Sequence, residues 1–225
     1  MVDETFEASP GIWCVRFAEA SCYLVRLLPG GILVDTGPDP TGALVMTALQ
    51  QARVGLASLR AILLTHADFE ASAGAARLTS RSGAPVLVSE GQRALLRDER
   101  GASGWSNRMR LGRKRTRAQG VETSATQLLR DGELVRDVFE AVSLRASTSE
   151  SEDGHFTFYF RPTGALFSGD AIDTSALPWR VARGQSTDAL RERLPGVTAV
   201  FPNHEVPQTD PDQVRERWLT MEPLL

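Results

Sequence analysis

Apolar side chains recur at strand spacing near the start of the chain, through Ile12-Trp13-Cys14-Val15-Arg16-Phe17, Cys22-Tyr23-Leu24-Val25-Arg26-Leu27 and Gly31-Ile32-Leu33-Val34-Asp35. Short runs rich in β-branched and aromatic residues, separated by turns such as Pro29-Gly30, predict three strands in an antiparallel meander. The period then lengthens. After Asp35-Thr36-Gly37, Leu44, Val45, Ala48 and Leu49 fall at helical spacing and predict a helix over 41–53. Strands over 61–65 and 85–89 alternate next with helices over about 72–81 and 90–97, the order of a βαβα unit.

Residues 100–120 break this rhythm with Gly, Ser and a dense basic run, and residues 128–133 read as a turn between short strands. A second β-rich half follows. Phe156-Thr157-Phe158-Tyr159-Phe160 and Ala165-Leu166-Phe167-Ser168 predict a hairpin around Arg161-Pro162-Thr163-Gly164, ending at Gly169-Asp170. A helix over 188–194, a strand over 199–201, the loop Pro202-Asn203-His204-Glu205 and a last helix from Pro211 complete it. The two halves are ββαβ-like without an obvious sequence repeat.

Composition narrows the classes. At 225 residues the chain can bury a sizeable core and reads as one domain over 1–225. Its 42% hydrophobic and 24% charged content suits a globular enzyme-sized domain, and a net charge of -3 gives no global attraction to nucleic acid or anionic membrane. No run approaches the roughly 18 apolar residues of a membrane span. The acidic first residues lack an apolar leader core, so the expected location is cytoplasmic. Cys14 and Cys22 fall in the first hairpin, where a disulfide is conceivable and two buried thiols are the expectation.

The basic run from Arg108 to Arg117 carries six cations and no acid. Such a run can contact phosphates, but the acidic remainder favours a surface segment, with a further role as a lid that attracts anionic small-molecule substrates. Trp13, Trp179 and Trp218 read as packing residues, and Trp179, close after Asp170, is the one that could line a pocket.

Candidate chemistry gathers where apolar runs end. His66, Asp68 and Glu70 follow one predicted strand, Asp170 another and His204 a third. Metal-dependent hydrolysis needs ligands converging from such loops, with a coordination position left open to water. Carboxylates near a helix start are also favoured by the helix dipole without a metal, which is the competing reading of Asp68 and Glu70.

Thr65-His66-Ala67-Asp68-Phe69-Glu70-Ala71 resembles the Thr-His-x-His-x-Asp-His loop of the metallo-β-lactamase superfamily. Leu33-Val34-Asp35-Thr36-Gly37 is similar to its Val-Asp-Thr-Gly loop, Phe167-Ser168-Gly169-Asp170 to its Gly-Asp segment, and Pro202-Asn203-His204 to its final Pro-Gly-His. The resemblance covers most of the chain. It implies an α+β fold, a four-layer αββα sandwich with the active site at one edge of the paired sheets.

Carried over residue by residue, the resemblance puts His66 and Asp68 at the first metal position, Glu70 and His204 at the second, and Asp170 between them. Ala71 and Ser151 stand where the family has histidines, and His155 falls on a non-ligand position at the start of the next strand. Two imidazoles and three carboxylates remain as candidate metal ligands, with Glu70 and Asp68 as candidate catalytic residues. Clustered carboxylates repel, so one divalent ion, zinc, manganese or iron, is the expected cofactor. The implied activity is hydrolysis of an ester, lactone or thioester. The alternative is a catalytically inactive relative, without metal, serving as a binding scaffold.

Overall fold

In the computed structural model, residues 3–97, 125–129, 134–135, 141–145, 155–181 and 186–223 are described, so the basic run and Ser151 lie outside them. The meander holds four strands where the alternation predicts three: β1 (Glu4–Ser9), β2 (Ile12–Arg16), β3 (Ser21–Arg26) and β4 (Gly31–Val34). In β1, Phe6 and Ala8 pack against the core while Glu4 and Glu7 face solvent, as suits a sheet edge.

The βαβα unit follows with α1 (Ala43–Gln51), a 3₁₀ turn at Leu56–Ser58, β5 (Leu59–Leu63), α2 (Phe69–Ser72), α3 (Ala75–Ser82), β6 (Val86–Ser89), α4 (Glu90–Arg97) and β7 (Thr126–Leu129). The sheet order is β1-β2-β3-β4-β5-β6-β7. Neighbours are antiparallel as far as β4 and parallel from β4 to β7.

β8 (Leu134–Val135), β9 (Ala141–Arg145), β10 (Phe156–Phe160) and β11 (Ala165–Gly169) enter a second sheet. They are followed by β12 (Ile172–Asp173), β13 (Arg180–Val181), α5 (Thr187–Arg193), β14 (Ala199–Pro202), α6 (Pro211–Thr220) and β15 (Glu222–Pro223). The second sheet runs β14-β11-β10-β9-β8, and β12, β13 and β15 form a small third one. β14 lies parallel to β11, so both point their C-terminal ends the same way.

Side-chain alternation divides the interior into three cores, which makes the molecule a four-layer αββα sandwich. Tyr23, Ile32, Val34 and Leu63 of the first sheet meet Phe156, Phe158, Phe160, Phe167 and Phe201 of the second. Each such buried side chain contributes roughly 1.5–3 kcal/mol relative to exposure. On the outer face of the first sheet, Leu33, Ile62 and Val86 pack under Val45 and Leu49 of α1 and Leu78 of α3. On the outer face of the second, Leu166 and Val200 pack under Leu190 of α5 and Val214 and Trp218 of α6. Asp210 caps α6, accepting from the amides of Asp212 and Gln213, with Pro211 in the first turn.

One expectation gives way here and another holds. Trp179 is fully buried in that third core, with the Arg217 guanidinium over its ring, and so lines no pocket. Both cysteines are free and buried, and strand alternation rules out their pairing. Cys14 sits opposite Tyr23 and points between the sheets, whereas Cys22 sits opposite Val15 and points to the helices.

Candidate metal centre

Four strand ends meet at one edge of the sandwich: Asp35 follows β4, Thr65 and His66 follow β5, Asp170 follows β11 and His204 follows β14. Bonds between the two sheets fasten this edge. The Phe156 amide donates to the Thr65 carbonyl (2.8 Å), the Ser21 amide to the Asn203 carbonyl (2.6 Å), and the buried Tyr23 hydroxyl to the Pro202 carbonyl (2.5 Å).

Asp35 turns the chain in a left-handed conformation (φ 60°), and its carboxylate accepts from the Thr65 amide (2.9 Å) and hydroxyl (2.8 Å). Thr65 Oγ1 also lies 2.9 Å from His66 Nδ1. A hydroxyl has one proton; with that proton given to Asp35, Oγ1 accepts from His66 Nδ1–H, and the lone pair is left on Nε2. His66 is 1% exposed, and its buried Nε2 has no hydrogen-bond partner. It faces Asp170 Oδ2 at 3.7 Å. The approach depends on Gly169, which has φ 53° and would bring a Cβ within 2.8 Å of Thr65 Cβ.

The loop after His66 is held from α4, where the buried Gln92 accepts from the Ala67 amide at 2.8 Å. Asp68 stands at the N-cap of α2 without a side-chain cap bond, and its backbone carbonyl accepts from the Ala71 and Ser72 amides. Glu70, in the first turn of α2, reaches His204 Nε2 at 3.7 Å. The same nitrogen lies 3.3 Å from Asp170 Oδ1, while His204 Nδ1 is 2.7 Å from the Glu19 carbonyl. His66, Asp170, His204 and Glu70 thus form one chain of facing groups, with Asp170 in the middle.

Charge follows geometry. Burial pushes the Asp35 carboxyl up to about 6 against the pull of His66 and Thr65. Burial would raise Asp170 as well, but the positive charge that His66, His204 and His155 carry when protonated outweighs it and holds that carboxyl well below its ordinary value. The hydrogen bond to Asp170, offset in part by burial, raises His204 to about 9, with Glu19 and Glu70 adding to it.

His155, expected on a non-ligand position, lies at this site. Its ring stacks on His66 with centroids 4.8 Å apart and planes 9° apart. Among the described residues, His66, His155 and Asp170 form a trio whose ligand atoms all lie within 4.8 Å of one another, and Asp68, Glu70 and His204 stand outside it. The cause is the hairpin register. Phe158 opposite Phe167 and Phe160 opposite Ala165 carry the start of β10 toward the end of β11, and so His155 toward Asp170. That signal is present in the predicted hairpin. Two imidazoles, one of them with a buried orphan nitrogen, and one ionised carboxylate are a donor set that fits a divalent ion.

A model of the metallo-beta-lactamase superfamily matches residues 15–212. The chain belongs to the metallo-β-lactamase superfamily. No curated protein matches it. Among solved structures, a metallo-beta-lactamase family protein from Thermus thermophilus is 21% identical, covering 95% of this chain and 78% of that one at a TM-score of 0.69. A subclass B3 metallo-beta-lactamase isolated from a soil metagenome library is 19% identical, covering 96% and 85% at a TM-score of 0.65. A B3 metallo-beta-lactamase with an active-site glutamic acid is 15% identical, covering 93% and 84% at a TM-score of 0.68. At these identities the likeness is one of fold.

Against the metallo-β-lactamase pattern the site is reduced. Ala71 is fully buried and offers only its carbonyl, which accepts from the Thr36 amide (2.6 Å) and hydroxyl (3.1 Å). Among the described residues of this metallo-β-lactamase-fold protein, no helix is long and apolar enough to cross a membrane.

Proposed function

We propose that the chain is a metal-dependent hydrolase acting on an ester, lactone or thioester through a single-ion, carboxylate-rich site. The observation that carries this reading is His66 Nε2, buried, without a partner and turned toward Asp170. Leaving such a nitrogen unsatisfied costs about 1–3 kcal/mol, and a divalent ion removes that cost. His66 and Asp170 would hold the ion, with Asp68, Glu70 and His204 around them as further donors. When bound, the ion supplies Lewis acidity toward a carbonyl oxygen and acidifies water at its open position.

The remaining roles belong to the protein. Thr65 keeps a proton on His66 Nδ1 and so leaves Nε2 able to donate electrons. The Glu19 carbonyl keeps a proton on His204 Nδ1, orienting that ring toward Asp170 and Glu70. Glu70 would take the proton of the attacking water, with Asp68, at the head of the same short helix, as the other candidate base. The substrate is a small molecule; an anionic one fits the basic run. Fold alone does not select it.

The test is metal analysis of the protein purified without chelator, with hydrolysis measured on an ester, a lactone and a thioester. About one ion per chain and metal-stimulated turnover, both lost in His66→Ala, are expected. Absence of both overturns the reading in favour of an inactive binding scaffold. That second reading draws on Ala71 and on the His204 pairing with Asp170 and Glu70, which satisfies these groups through protein atoms alone.

A further inference from the structure

We propose that His155 is a metal ligand of this chain, completing a His66, His155 and Asp170 set, and that His204 acts beside the ion as the residue that orients Asp170. The inference rests on the metal-dependent reading above and changes which residues carry it.

Three observations converge. The ligand atoms of His66, His155 and Asp170 lie within 4.8 Å of one another, so a turn of the His155 ring out of its stack on His66 would close them on one ion. His155 is placed by the backbone, since its neighbour Phe156 donates to the carbonyl of Thr65, the residue before His66, and since the hairpin register leads it toward Asp170. Asp170 divides its two oxygens, Oδ2 toward His66 at 3.7 Å and Oδ1 toward His204 at 3.3 Å. One oxygen is thereby directed to the ion and the other accepts from an imidazole, the usual arrangement of a ligating carboxylate and its outer hydrogen bond.

Two neutral imidazoles and one carboxylate with an open position suit zinc, and equally ferrous iron. The imidazole absent at Ala71 is replaced from a different strand, on the His66 side of the site. His204 then keeps both ring protons, one on the Glu19 carbonyl and one between Asp170 and Glu70.

The chain has three histidines, so ring ¹⁵N resonances can be assigned one at a time by substitution. His155→Phe retains a flat ring against His66 and removes only the nitrogens. In zinc competition against a chromophoric chelator, His155→Phe is expected to lose more affinity than the roughly 10- to 100-fold typical of an outer hydrogen bond, and His204→Gln no more than that range. In the unsubstituted protein, titration with zinc should move the ring nitrogens of His66 and His155 while His204 keeps two N–H signals. This readout stands even if a variant fails to fold. Zinc binding in which His204 loses a proton and His155 stays unmoved, or in which His204→Gln costs more than His155→Phe, overturns this inference and leaves the hydrolase reading intact. A parent protein that binds no zinc, manganese or iron overturns both.

Discussion

Thr65 Oγ1 lies 2.9 Å from His66 Nδ1, and this one contact decides which nitrogen of the imidazole carries its proton. Replacing Thr65 by Val keeps the shape and removes the hydroxyl. His66 is then released to the other tautomer, and Asp35 Oδ2 loses its donor inside the protein. Zinc affinity should fall about 10- to 100-fold. Stability should fall by roughly 1–3 kcal/mol for the buried acceptor left unpaired. Calorimetric titration and urea unfolding check the two effects separately.

Asp35 makes stability depend on pH in a defined direction. Its folded value is raised from 3.8 to about 6, so the folded state holds the proton more tightly than the unfolded chain. The contribution is fully present below 3.8, declines as pH rises toward 6 and is flat above. The size is roughly 3 kcal/mol on the scale of 1.36 kcal/mol per unit. Urea midpoints of metal-free protein across that window, compared with Asp35→Asn, should show a slope in the parent that the variant lacks.

His204 acts at the alkaline end with the same sign. Its folded value is raised from 6.5 to about 9, so its stabilisation is complete below 6.5 and is lost as pH climbs through 9. His204→Gln should flatten that slope in metal-free protein. A parent curve with no decline between neutral pH and 10 would show that Asp170 and Glu70 do not hold the imidazolium.

Gly169 is where the second sheet touches the first loop most closely. An alanine there would need a left-handed backbone and would press on Thr65. Gly169→Ala should cost about 1–3 kcal/mol. It should also weaken zinc binding, because Thr65 is the residue displaced. Unchanged affinity in a folded variant would mean that Thr65 moves without taking His66 with it.

Much of this arrangement is legible in the sequence because it is local. Apolar runs ending in Asp35, His66, Asp170 and His204 mark strand ends, and the observed strands end within a few residues of each. β1 is not legible: only Phe6 and Ala8 face the core, and the intervening acids read as a polar tail. His155 is missed for a different reason. Aligned by the motif, Ser151 takes the ligand position and His155 falls beyond it, whereas the place of His155 follows from a cross-strand register and from the bond of its neighbour Phe156 to Thr65, far away in sequence. A motif read along the chain does not contain that information, but a hairpin read across it does. Trp179 illustrates the converse, since nearness in sequence to Asp170 suggests a pocket, whereas the residue stands just before β13, two positions from the buried Val181, and its ring lies with that side chain in the third core.

Cys14 and Cys22 lie on neighbouring strands yet open into different interiors. A thiol reagent reaches Cys14 when the two sheets part and Cys22 when a helix lifts from the first sheet. The molecule therefore carries two natural clocks on one hairpin, and comparing their labelling rates would tell which seam of the sandwich breathes first.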